Sequence, residues 1–120
     1  MRIAIPVDEQ NSDTTVCMSY GRTPFFMIYD TERKETSYLD NSAISAMGGA
    51  GIKASQSLVD AGAETVLTIR CGENAAEVLK AAGISLYKTV HKTAMENIEA
   101  FSKGELDLLT DIHPGFHHGK

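Results

Sequence analysis

The stretch ETVLTIRCGENAAEVLKAAGI, residues 64–84, decides the fold. Residues 64–69 are mostly apolar and β-branched, the content of a buried strand. Residues 70–73 then read as a tight turn. Asn74 and Glu77 have capping-box spacing, with Asn74 as N-cap. Residues 75–82 are helical in composition, and Gly83 can end the helix. Residues 84–87 resume extended chain. Strand, helix and strand in that order form a right-handed crossover, so the two strands are expected to be parallel. The strand-to-helix turn presents backbone N–H groups at the positive end of a helix, a setting that suits an anion. Cys71 stands in it beside Arg70, where a thiolate would be favoured and its pKa lowered.

Upstream, residues 3–7 form a short apolar strand of the kind found near the centre of a sheet covered on both faces. Pro6 removes one ladder donor and marks its end or an irregularity. Residues 8–15 are a polar loop, and 16–24 an irregular stretch that mixes apolar, thiol and cationic side chains. Residues 25–30 and 35–40 pair as a hairpin across a turn at 31–34, the second strand more polar and at the edge. After a loop at 41–46, Met47-Gly48-Gly49-Ala50-Gly51 leads into a helix over 52–60, with Leu58 and Val59 on one face and residues 61–63 closing it.

Downstream, residues 88–92 are a linker in which His91 has no evident role. Thr93 and Glu96 form a second capping box. The helix behind it carries Met95, Ile98 and Phe101 at helical spacing and ends at Gly104. A hairpin followed by αβαβα gives an α/β layer fold with a mixed sheet of about five strands. Residues 1–109 make one domain, and 110–120 a histidine-containing tail expected to be flexible.

With 42% hydrophobic and 22% charged residues, the 120-residue chain has the composition of one globular domain. A net charge of −5 argues against a nucleic-acid surface. No apolar run approaches the roughly 20 residues that span a bilayer, and the N-terminus does not read as a signal peptide. Cytoplasmic residence follows as the expectation, with Cys17 and Cys71 as thiols rather than a disulfide. The central strands carry no clustered carboxylates of the kind a two-metal nuclease needs, and no nucleophile–base pair stands out. The chain reads as a binder rather than an enzyme.

Each candidate site residue has a structural and a functional reading. Cys71 is either a small buried residue or a soft-metal ligand, and Cys17 divides in the same way from a looser loop. The glycines at 48, 49, 51 and 72 serve either turn geometry or close backbone approach to an anion. Arg22 either pairs with Asp30 or Asp40 or neutralises an anionic ligand. In the tail, His113, His117 and His118 are either solvated or ligands to a borderline metal. The rim they suggest combines the 17–22 loop, the 48–51 glycines and the 71–74 turn. Strand ends are where α/β sheets place ligands.

A series of pieces runs in order along the chain, beginning with Ile3-Ala4-Ile5-Pro6 and Tyr20-Gly21-Arg22-Thr23-Pro24-Phe25-Phe26. It continues with Asp40-Asn41, Gly49-Ala50-Gly51-Ile52, Cys71-Gly72-Glu73-Asn74-Ala75 and Leu79-Lys80-Ala81-Ala82-Gly83-Ile84. In these pieces and their order the chain resembles the dinitrogenase iron–molybdenum cofactor biosynthesis family, which includes nitrogenase cofactor carriers and the orange-protein group. The resemblance implies a ribonuclease-H-like three-layer fold with helices on both faces of the sheet. It implies an anionic Mo-containing metal–sulfide cluster, Mo–Fe–S or Mo–Cu–S, as cargo. Ser19, Gly21, Arg22, Gly49, Ala50, Gly51, Gly72 and Asn74 are then the cofactor-binding positions, and Ser19 replaces the histidine that many members carry there. Expected partners are the cargo and iron–sulfur scaffold proteins or ATPases, with the chain a monomer or weak homodimer. The alternative is a metal-free docking module with Tyr20, Phe25 and Phe26 as its apolar patch.

Overall fold

The computed structural model describes residues 1–110 and 112–113. Five strands form one sheet: β1 (Arg2–Val7), β2 (Phe25–Asp30), β3 (Glu35–Asp40), β4 (Thr65–Thr68) and β6 (Ser85–Lys88). Their spatial order is β3-β2-β1-β4-β6. The hairpin side is antiparallel, and β1, β4 and β6 run parallel. This is the mixed ribonuclease-H-like sheet. The crossover read from residues 64–84 is the parallel pair β4–β6, joined by α2 (Glu73–Ala81).

β1 is central, and residues 3–7 are all buried. Its pairing with β4 stops at Ala4, so Pro6 lies beyond the stretch where that ladder needs a donor. Alternate residues of β1 feed two cores. Ala4 joins Phe26, Val66 and Leu86 under α1 (Ala50–Asp60) and α2, against Ala54, Leu58, Ala76 and Leu79. Ile3, Ile5 and Val7 join Met27 and Leu67 under α3 (Ala94–Ser102), against Ala94 and Ile98. Helices thus cover both faces.

Several local expectations change. Helix α1 starts at Ala50, and its Val59 is exposed while Leu58 is fully buried. Those neighbours lie about 100° apart on a helix, and only Leu58 falls on the sheet side. Residues 42–45 form a 3₁₀ turn capped by the Asn41 side chain rather than an open loop. The Asn74–Glu77 capping box does not form. The N-cap of α2 is Gly72, with no side-chain hydrogen bond, and Asn74 lies inside the first turn. The tight turn at 70–73 is instead β5 (Cys71–Gly72), paired in parallel with β7 (Ile112–His113). That pairing holds Gly72 extended and starts the helix early. The second box forms fully: Thr93 Oγ1 accepts from Glu96 N–H, and the Glu96 carboxylate accepts from Thr93 N–H.

Candidate functional site: a glycine-lined cleft between two helix N-termini

Three segments distant in sequence meet at one end of the sheet. Residues 18–22, residues 47–52 at the start of α1, and Arg70, Cys71, Gly72, Asn74 and Ala75 at the start of α2 line a cleft of about 600 Å³. Their approach depends on missing side chains. A Cβ on Gly21 would lie 2.9 Å from the Gly51 backbone nitrogen, and a Cβ on Gly51 would lie 3.1 Å from Ala75 Cβ. The loop therefore lies backbone to backbone on the start of α1, and α1 lies with its Gly51 backbone on the Ala75 methyl of α2.

Hydrogen bonds hold the same stack from beneath. Tyr20 is buried and packs edge-on against Phe26, with ring centroids 5.5 Å apart. Its hydroxyl donates to Ser55 Oγ at 2.8 Å, and Ser55 Oγ donates to the Ala75 carbonyl at 3.2 Å. Burial drives the Tyr20 phenol far above its usual range and keeps it neutral. From the other side, Asn41 Nδ2 donates to the carbonyls of Gly21 and Thr23 at 2.9 and 2.8 Å. Thr23 Oγ1 donates to the Val7 carbonyl, which ties the loop to the end of β1.

The walls of the cleft are rich in donors and poor in acceptors. Gly49, the N-cap of α1, has φ +67°, a left-handed conformation that favours glycine. Like Gly72, it has no side chain with which to accept from its own helix. First-turn N–H groups of two helices thus border one cavity without side-chain caps. Arg22 and Arg70 line it, and among the described residues no Asp or Glu does. Arg22 Nη1 donates to the Ile44 carbonyl at 2.9 Å, so it joins neither Asp30 nor Asp40. Among the described residues neither arginine forms an ion pair. A chain of net charge −5 therefore contains a locally positive hollow.

The cleft gathers all eight expected cofactor-binding residues: Ser19, Gly21, Arg22, Gly49, Ala50, Gly51, Gly72 and Asn74. The Ser19 hydroxyl accepts the Arg22 N–H at 3.1 Å, so it shapes the loop that carries Arg22. The sulfur ligands fare differently. Cys71 underlies the floor with no exposed surface, in the core with Tyr20, Ala50 and Ala75. Burial pushes its thiol up to about 11, the reverse of the activation expected at a helix N-terminus. Its side chain therefore presents no exposed sulfur to the cleft. Cys17 is half-buried outside the cleft, its N–H bonded to the Pro6 carbonyl. His113 stands opposite Gly72 in the β5–β7 pairing, while His117 and His118 lie outside the described residues. Among the described residues no group of three His, Cys, Asp or Glu side chains could hold a metal ion. The aromatic docking patch is absent as well: Tyr20 and Phe26 are core residues, and Phe25 is partly buried against the other core.

Arg70, Met18 and Met47 also line the cleft. None was a candidate from sequence. Arg70 was legible only as the neighbour of Cys71, and the methionines carry no motif.

The sheet order and the cleft define a ribonuclease-H-like α/β domain with an anion-suited rim. Residues 1–104 match the family model described as dinitrogenase iron–molybdenum cofactor, and the chain belongs to that family. Solved structures agree. The apo form of the orange protein from Desulfovibrio gigas is 29% identical, with 92% of this chain and 93% of that chain covered and a TM-score of 0.87. A NifB-like protein of the DUF35 family from Thermotoga is 37% identical, with 99% and 98% covered and a TM-score of 0.80. Among curated proteins, none matches the chain. No helix among the described residues is long and apolar enough to cross a membrane.

Two outcomes test this geometry. Gly21→Ala must push loop and helix apart, and overpacking of this kind costs about 1–3 kcal/mol, measurable by urea unfolding. An unchanged midpoint would contradict the stacking. At pH 8, folded Cys71 is expected to react with iodoacetamide at least about a hundredfold more slowly than an ordinary thiol, since raising its pKa by about two units removes thiolate in that proportion. The rate should climb about tenfold per pH unit until about 11. Labelling at the free-thiol rate would show the residue open to solvent.

Proposed function

We propose that the chain is a non-catalytic carrier of an anionic metal–sulfur cluster in cofactor assembly or delivery. The observation that carries this reading is the pairing of two glycine-capped helix starts with two arginines around one cleft that no Asp or Glu among the described residues lines. α3 makes the contrast: its start is closed by a full capping box and does not line the cleft. Each favourably placed helix N-terminus stabilises an anion by about 0.3–1 kcal/mol at the surface and up to about 2 when partly buried. An arginine hydrogen bond to an anion adds about 1.5–3 kcal/mol. Such a cleft holds a polyanion by charge and hydrogen bonding to its sulfide or oxo surface, with no metal–protein bond required. Weak, reversible holding of this kind suits a protein that must hand its cargo on.

Family membership supports a cluster as cargo. The resemblance to the orange-protein group favours a Mo-containing sulfide, and scaffold proteins or ATPases of cluster assembly remain the partners this role calls for. Cytoplasmic residence fits such work and fits thiols left unpaired.

The test is anaerobic reconstitution with tetrathiomolybdate plus copper or iron, read by visible absorption after gel filtration. Wild type should retain colour. An Arg22→Ala, Arg70→Ala double variant should retain at least about tenfold less, a loss of roughly 1.4 kcal/mol. Gly48→Asp should do the same, because it places a carboxylate at the rim where the structure leaves open space for a Cβ. Cys17→Ala should behave as wild type. Equal retention by all four proteins would show that the cargo site is elsewhere, and no retention by wild type would remove the carrier reading.

A further inference from the structure

The rim holds two side chains that the anion-binding account does not use. Met18 is 73% exposed and Met47 fully exposed, and both line the cleft. Of the other three methionines, Met27 is fully buried, Met95 lies on α3 partly buried against the core, and Met1 begins the chain away from the cleft. The two rim residues sit on different segments, one in the loop that carries Arg22 and the other before the Gly48-Gly49 start of α1. Neither joins a core cluster, so packing does not account for them.

A thioether is a soft, neutral donor on a flexible chain. It carries no proton to lose and no charge to add. That property matters here, because Arg22, Arg70 and two helix N-termini repel a bare cation. A soft cation reaches this rim only when it arrives bound to anionic sulfide. Iron–sulfur clusters are held by thiolates, and the cleft exposes none, since Cys71 is wholly buried. Copper(I) is the soft cation that neutral thioethers suit.

Building on the carrier reading, we infer that Met18 and Met47 are thioether ligands to copper(I) within a sulfide-bound anionic cargo. Binding forms dative sulfur–copper bonds from thioether lone pairs. No electron changes hands, no proton is released, and copper enters and stays as copper(I). The inference also separates the two cargo classes, favouring a copper-containing cluster over an iron-containing one. The arginines and helix starts hold the anionic body, and the methionines hold its copper.

The experiment uses the full chain with ¹³C-labelled methionine methyl groups, observed by NMR without oxygen. Tetrathiomolybdate alone, then one equivalent of copper(I), is added. Copper should shift the Met18 and Met47 methyl signals and leave Met27 and Met95 in place. A Met18→Leu, Met47→Leu variant keeps the apolar bulk at exposed positions. It should retain tetrathiomolybdate as wild type does but lose copper at least about tenfold more readily. Retention of the copper cargo with unmoved Met18 and Met47 signals, or equal copper retention by the leucine variant, would overturn the inference and leave the carrier reading standing. If neither mixture is retained by wild type, the carrier reading fails and the ligand assignment fails with it.

Discussion

Everything at the candidate site depends on the close approach of the Gly21 backbone to Gly51 and of Gly51 to the Ala75 methyl. Side chains at the first two positions would clash at 2.9 and 3.1 Å and force the loop from α1, and α1 from α2. With glycine at both, two helix N-termini and an arginine loop share one small cavity. The Tyr20–Ser55–Ala75 hydrogen-bond chain runs under the same contact and fixes its depth.

That arrangement sacrifices something in stability. A good side-chain cap is worth about 1 kcal/mol over alanine but only a few tenths over glycine, and α1 and α2 both start at glycine without one. α3, which packs on the other face, has both halves of its capping box. On the proposed carrier reading, donors that a capping serine or aspartate would occupy are left for a ligand, and the two well-packed cores carry the fold without them. The burial of Cys71 belongs to the same design: its side chain fills the floor and leaves the wall to N–H groups and guanidinium.

Much of this was legible in the sequence. The strand and helix order, the hairpin, the parallel crossover and the Thr93–Glu96 box follow from periodicity and local chemistry, and the structure has them all. All eight proposed cofactor positions line one cleft. What failed failed where distant contacts overrode local signals. Asn74 has the chemistry of an N-cap, but pairing of β5 with β7, about forty residues away, draws the helix start back to Gly72. Cys71 sits where a helix dipole should activate a thiol, yet the core closes over it, and burial is a property of the whole fold. Cys17 lies two residues from Ser19, but the chain turns between them, so one lines the cleft and the other does not. Met18 and Met47 could not be found in advance, since only the assembled rim shows that they share it.

The most direct test of the central claim is a map of backbone amide shifts as tetrathiomolybdate is titrated into ¹⁵N-labelled protein. If the two uncapped helix starts bind the anion, the largest changes fall at Gly49, Gly51, Ile52, Gly72, Asn74 and Ala75, with Arg22 beside them. If those signals stay still while others move with saturation, the anion binds elsewhere, and the uncapped helix starts are not its site.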